Sequence, residues 1–395
     1  MADLSPQERR ILDWLAAQRP AMLALLEQLV NTDSGSYDKA GVDAVGGHLR
    51  RFFESQGVAH DGIADERFGD ALRAGVGSGP NTTILLMGHR DTVFPQGEAA
   101  RRPFRIEGGR AYGPGVADMK PGLVMNAFVL AVFEKFGGAP APLVGLFTAD
   151  EEIGSPSSRG LIETEARRAR AVFNAEPGRP SGAVVTGRKG GVFMGMEVTG
   201  KAAHSGANFE QGISAIEAIA RKIVALHALT DLPHGITVNV GTVRGGQTVN
   251  TVAPSAQAEI DLRFLDRAGR NAAISGIEAI VDTSQVPGTS AKLEVFGEFL
   301  PLVTTPEGER LYRHYADCAQ ALGTVIPAEF TGGCADSGFA ASVGAPTLCA
   351  TGPVGGKAHT PEEYLELDSL VPRAQALALS ILRLGQEPRT GPKAG

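Results

Sequence analysis

Cysteine is scarce in this chain: Cys318, Cys334 and Cys349 are all that 395 residues contain. An odd number without paired spacing excludes a disulfide framework and a cysteine-built zinc site, since both need cysteines at matched intervals. Cationic blocks are missing too. Lysine and arginine total 37 against 44 acids, a formal net charge of −7. Nucleic acid or an anionic membrane as main partner would need a basic face, so neither is expected. No apolar run approaches the roughly 20 residues that span a bilayer. The first residues, MADLSPQERRILDWLAAQ, are amphipathic and charged. They lack the apolar core and cleavage site of a signal peptide, which points to the cytoplasm.

What is present is a large apolar complement. Hydrophobic residues make up 43% of the chain, enough for a sizeable core, and the length exceeds what one core usually supports. Ile11, Leu12, Leu15, Met22, Leu23, Leu26 and Leu29 predict helix across residues 6–31, and Val42, Val45, Leu49 and Phe52 predict another over 40–56. TTILLM at 82–87, LVGLF at 143–147 and residues 171–174 read as buried strands, with a helix at 124–136 after the glycine- and proline-rich GPGVADMKPG. Strands alternating with helices imply an α/β fold, a mostly parallel sheet covered by helices on both faces.

The pattern changes near residue 188. GGVFMGMEVTG alternates like a half-exposed strand, ISAIEAIARKIVALHAL is a long helix, and TVNVGTVRGG with TVAPSAQAEIDLRFL reads as a strand pair. A helix at 267–282 and a strand at 292–296 complete the order β-α-β-β-α-β, a small α+β domain. Helix at 307–322, strand at 345–350 and helix at 368–384 then resume the first pattern. Residues 1–187 and 300–395 therefore form one domain, and 188–299 a domain inserted within it. The tail RTGPKAG reads as disordered.

In LVGLFTADEEIGS, three adjacent acids, Asp150, Glu151 and Glu152, close a strand where one polar residue would reach water. Similar residues recur at the other strand ends: His89 and Asp91 in GHRDT, Asp118 in GPGVADMKPG, Glu176 in NAEPG and His359 in TGPVGGKAHTPEEY. Loops at the carboxyl ends of strands are where open α/β sheets bind ligands, so these distant residues can converge. Two histidines with several carboxylates suit a borderline metal such as zinc, with Co2+ or Mn2+ as alternatives, and the surplus of acids points to two ions. Paired divalent cations would make such crowding favourable. Glu362, Glu363 and Glu366 read instead as a solvated helix start, and Lys120 and Pro121 as shaping their loop.

GHRDTV, GPGVADMKPG, TADEEIGS, NAEPG, TGKAAHSG and KAHTPEE, in this order, resemble the motifs of the M20 metallopeptidase family, within its glutamate carboxypeptidase group. The resemblance spans about residues 25–385. It implies a catalytic domain with two zinc ions and an inserted lid that forms a homodimer. One ion would be held by His89, Asp118 and Glu176, the other by Asp118, Glu152 and His359, with Asp118 bridging. Glu151 would be the general base, Asp91 would orient His89, and the Asp118–Met119 peptide would be cis. His204 would act on the oxyanion from the partner subunit. Asn250 and Arg263 would bind the substrate carboxylate, a task suited to the arginine fork. Gly332 and Gly333 would offer backbone amides.

Folate-cleaving relatives carry basic residues where this chain has Ala183 and Phe299; Arg188 and Lys189 lie close by in TGRKG and are candidates to take their place. The activity implied is a dizinc hydrolase that cleaves an amide bond next to a free carboxylate. It would release a C-terminal amino acid, glutamate being one candidate, from a small peptide or N-acyl amino acid. An N-acyl amino-acid deacylase on the same site is the alternative. A non-catalytic metal-binding dimer is a third reading, disfavoured by Glu151, which such a protein would not need.

Overall fold

The computed structural model describes residues 4–77 and 82–386; the tail RTGPKAG lies outside them. The chain forms two compact units. One comprises the described residues up to Gly187, Thr304–Phe330 and those from Phe339 on; the other comprises Arg188–Val303 and Thr331–Gly338. Two boundaries differ from the sequence reading. The insert extends to Val303, and Thr331–Gly338 groups with it. Side chains tie that segment in: Arg188 Nη1 donates to the Gly333 and Cys334 carbonyls at 3.3 Å, and Arg263 Nη1 reaches Cys334 Sγ at 2.8 Å. Such distant links leave no trace in local periodicity.

The first unit is built on a six-stranded sheet, in the order Ala59–Ile63, Ala71–Val76, Leu143–Thr148, Thr83–His89, Ala169–Asn174 and Thr347–Leu348. The last four run parallel, and Ala71–Val76 pairs antiparallel with both of its neighbours. Every residue of Leu143–Thr148 is buried, as expected of a central strand in a sheet with both faces covered. Ala59–Ile63 and Ala71–Val76 escape the sequence reading because AHDGI and ALRAGV show neither a long apolar run nor clear alternation.

Flanking helices complete this unit, and Lys120–Lys135 is the central one. Its residues from Lys120 to Phe133 are all buried, the mark of a helix packed on every side. Around it pack Pro6–Ala17, Arg19–Val30, Lys39–Gln56 and Leu370–Gln386. The helix predicted across 6–31 is two helices, parted at Gln18. Pro20 lacks an N–H and cannot continue a helix, but it fits the first turn of a new one. Gly122 is needed where it stands: a Cβ there would collide with the Ala175 carbonyl oxygen. Glycine thus lets the helix start pass beside the strand end that carries Glu176.

The second unit is an antiparallel sheet ordered Thr237–Gly245, Ser255–Phe264, Gly190–Thr199 and Ser290–Phe299. Val192, Met194, Met196 and Val198 alternate into a core shared with Ala215–His227 and Arg267–Asp282, following the two-residue period of a strand. Ser214 and Asp266 cap these helices with side-chain oxygens. Among the described residues no helix is long and apolar enough to cross a membrane.

Lys222 is buried on the first of these helices, and its Nζ donates to the carbonyls of Ile280, Val281 and Thr283 at 2.6–2.8 Å. A cation is thereby set on the carbonyl end of the neighbouring helix. Lys222→Met keeps the apolar stem but strands three acceptors, at a cost of about 2 kcal/mol. Urea unfolding should show a lower midpoint; an unchanged one would mean that other donors satisfy those carbonyls.

Candidate metal centre

Three of the four parallel strands deliver an acid or an imidazole at their carboxyl ends. His89 is the last residue of Thr83–His89, Glu151 and Glu152 form a single helical turn just beyond Leu143–Thr148, and Glu176 lies two residues past Ala169–Asn174. Asp118 precedes the buried helix across a cis Asp118–Met119 bond. His359 stands in the loop between Gly355–Gly356 and Tyr364–Glu366 with φ of 64°.

These residues meet. His89, Asp118 and Glu176 can bring one ligand atom each within 4.8 Å of the others, and so can Asp118, Glu152 and His359. His89 Nε2 is 3.2 Å from Asp118 Oδ1 and 3.7 Å from Glu176 Oε1. His359 Nε2 is 3.4 Å from Asp118 Oδ2 and 3.2 Å from Glu152 Oε2. Asp118 therefore turns one oxygen to each imidazole, the arrangement of a bridging carboxylate. Glu151 lies alongside, its Oε2 3.9 Å from His89 Nε2. The His89 side chain is only 2% exposed, that of His359 51%, so the second group opens to solvent.

Electrostatics bear on whether cations fit. Burial alone would lower the pKa of His89, yet Asp118, Asp91, Glu151 and Glu176 hold it well above its ordinary value. Hydrogen bonds to Asp118 and Glu152 push His359 up to about 10. Burial raises Glu152, and its Oε1 has no hydrogen-bond partner. Asp118 is depressed despite burial, because both imidazoles face it. The acids thus demand positive charge, and two nitrogen donors with carboxylate oxygens in two groups of three suit divalent ions of the zinc class.

Asp91 does more than its place beside His89 implies. Its Oδ1 lies 3.3 Å from His89 Nδ1 and accepts the Glu151 amide, while its Oδ2 accepts the Glu152 amide and Ser36 Oγ. One carboxylate orients the imidazole and the turn carrying both glutamates. Asp150, the first acid of the triplet, faces elsewhere: its Oδ2 accepts the Ser157 amide and hydroxyl at 2.6 and 2.8 Å. It folds the loop and belongs to neither group.

The reading of Glu362, Glu363 and Glu366 as a solvated helix start fails at two of them. Tyr364–Glu366 is a strand, and Glu366 pairs with Arg110. Glu363 is fully buried and accepts the amides of Gly115, Ala117 and Asp118 at 2.8–3.0 Å. It joins the Asp118 loop to the segment carrying His359. A glycine-rich turn with unpaired amides was the only hint in the sequence. Lys120, also buried, donates to the Thr32 carbonyl, and burial lowers it to about 7. Arg90, between His89 and Asp91, is a support that local spacing does not reveal: it is buried and donates to the carbonyls of Val42, Asp70 and Thr148.

The remaining predicted residues lie in the second unit. His204 Nδ1 accepts the amides of Gly206 and Ala207, which leaves Nε2 as the N–H donor. Asn250 is next to it in space, its carbonyl accepting the Ser205 amide. Arg263 pairs with Asp261 at 2.7 Å, lies over the Phe193 ring and touches Cys334 Sγ. Gly333 gives its amide to Thr331 Oγ1 and its carbonyl to Arg188, and Gly332 precedes it in the same loop. Arg188 and Lys189 are both committed to backbone carbonyls, the latter to Gly235.

Glu363→Ala removes the acceptor of three amides, and zinc affinity should fall about 10- to 100-fold. Competition against a chelating dye measures this, with Glu363→Gln losing less; unaltered affinity would show the loop to be self-supporting.

Comparison with known proteins places the chain in a family. The sequence profile of peptidase family M20/M25/M40 matches residues 85–383. Carboxypeptidase G2 of Pseudomonas sp. (strain RS-16) is 30% identical over 375 residues, 93% of this chain and 90% of that protein. Acetylornithine deacetylase of Myxococcus xanthus is 32% identical over 268 residues, 62% of this chain and 67% of the relative. Among solved structures, an M20 family metallo-carboxypeptidase of Sulfolobus solfataricus superimposes with a TM-score of 0.77 at 19% identity, covering 92% of this chain and 99% of that one. A dipeptidase of Saccharomyces cerevisiae gives 0.76 at 15% identity, covering 97% and 99%. The chain belongs to peptidase family M20/M25/M40 and is a metal-dependent hydrolase of the peptidase and amidohydrolase type.

Proposed function

We propose that this protein hydrolyses an amide bond next to a free carboxylate, releasing a C-terminal amino acid from a small peptide or N-acyl amino acid, with two zinc ions at the paired donor groups. The observation that supports it most is the sharing of Asp118 between two groups of ligand atoms, with Glu151 beside them. His89, Asp118 and Glu176 would hold one ion; Asp118, Glu152 and His359 the other. Bound there, such ions lower the pKa of water toward about 7 and polarise a carbonyl.

Glu151 takes the proton of the attacking water and delivers it to the leaving amine, the dual task of a general base that later acts as acid. Its backbone is held by Asp91, which fixes the point from which its side chain reaches the donor groups. Asp91 also fixes His89 in the orientation for binding through Nε2. In the second unit, His204 presents Nε2–H to the oxyanion of a partner subunit's substrate, and Arg263 and Asn250 take the carboxylate of the leaving residue. Gly332 offers that substrate its backbone amide, and Gly333 does so when its 3.4 Å bond to Thr331 Oγ1 yields. Glutamate is one candidate leaving residue.

Glu151→Ala should lower kcat by about 10²- to 10⁴-fold while metal content, measured by elemental analysis, stays at the wild-type level. Loss of metal together with activity would refute the separation of base from ligands. If His204 works across a dimer, mixing inactive Glu151→Ala and His204→Ala proteins under exchange should produce activity that neither shows alone. No recovery, with exchange verified by mass, would place His204 in its own subunit's site.

A further inference from the structure

A second recess opens beside the candidate metal centre within the same unit. It encloses about 440 Å³ and is walled by residues 35–38, residues 92–96, Glu152 and Ile153. Glu152 belongs to both places, since its Oε2 also faces His359. The recess and the carboxylate groups therefore share Glu152 as a common wall. Its frame is held to the same residues: Ser36 Oγ donates to Asp91 at 2.7 Å, and the Thr92 amide donates to the Ser34 carbonyl at 2.8 Å.

The wall is apolar where it could have been polar. Tyr37 is 73% exposed and Val93 43%, and Phe94, Pro95 and Ile153 extend the surface they form. Its ionisable lining consists of Asp38 and Glu152, with no lysine or arginine. Arg102 stacks on the Phe94 ring at 4.8 Å, but Glu98 holds its charge. The volume falls within the roughly 300–1,000 Å³ of small-molecule sites.

We propose that this recess receives the acyl side of the substrate, and that the acyl group it selects is uncharged, apolar and larger than acetyl. The inference rests on the amide-hydrolase function above, which assigns the carboxylate of the leaving residue to Arg263 and Asn250. The recess has no lysine or arginine to pair with that carboxylate, so the group it admits lies across the scissile bond. With Glu152 engaged by an ion, Asp38 remains as its charged residue and disfavours an acyl group that ends in a carboxylate, such as succinyl. Acetyl would leave most of the space unfilled, whereas a longer or aromatic acyl group buries apolar surface against Tyr37 and Val93.

The test compares kcat/KM for N-acetyl, N-succinyl, N-benzoyl and N-octanoyl derivatives of glutamate, alanine and leucine. Zinc-loaded wild-type protein is set against Tyr37→Ala and Val93→Lys. Both side chains are exposed, and zinc content and thermal midpoint verify that each variant is folded. In the wild type, benzoyl and octanoyl substrates should exceed acetyl and succinyl ones by about tenfold or more. Tyr37→Ala should lower the benzoyl-to-acetyl ratio about fivefold, and Val93→Lys should raise the succinyl-to-benzoyl ratio about tenfold. Ratios equal in all three proteins, with turnover intact, would overturn the assignment of the recess and leave the hydrolase standing. No turnover of any derivative would overturn the hydrolase function, and this inference with it.

Discussion

Negative charge gathered away from water is the constraint around which the first unit is organised. Asp91, Asp118, Glu151, Glu152 and Glu176 stand together at one sheet edge; Asp91, Glu151 and Glu176 are buried, and Asp118 and Glu152 partly so. An ionised carboxylate removed from water must be paired or it takes up a proton. Here the acids draw charge onto both imidazoles, lifting His89 and His359 above their ordinary range. Divalent cations at the same donors would satisfy the carboxylates more fully and free the imidazole nitrogens to act as ligands.

The acids outside the two donor groups are treated differently. Asp91, Asp150 and Glu363 all accept backbone amides: from Glu151 and Glu152, from Ser157, and from the Gly115–Asp118 turn respectively. Neutral dipoles stabilise these carboxylates, and in return each carboxylate fixes a loop that carries a ligand or the base. Arg90 works in the opposite sense, a buried cation spread over three carbonyls that ties the His89 strand end to the helix Lys39–Gln56 and to the strand ending at Thr148. A donor set assembled from five separate segments needs such supports, because metal geometry tolerates only small errors in ligand position.

The second unit obeys a simpler rule. One face of its sheet is covered by two helices, and its polar residues are tethered by neighbours within the same unit. His204 is held as an Nε2–H donor by two amides, and Arg263 is braced by Asp261, Phe193 and Cys334. Bracing of this kind reduces the rotamer entropy that an arginine loses on gripping a carboxylate.

The sequence by itself determined the α/β class, the order of the main elements and the identity of the ligand-type residues. Those properties are local: apolar runs mark buried strands, periodicity marks helices, and His, Asp and Glu at strand ends stand out against their surroundings. Tertiary structure alone decided which acids face one another. Nothing in DEE shows that Asp150 turns to Ser157 while Glu151 and Glu152 turn inward, and nothing in TPEEY shows that Glu363 is buried on the amides of a turn some 245 residues earlier. The weakly patterned edge strands and the transfer of Thr331–Gly338 to the second unit were hidden for the same reason. Each depends on hydrogen bonds between remote segments, and local spacing carries no record of those.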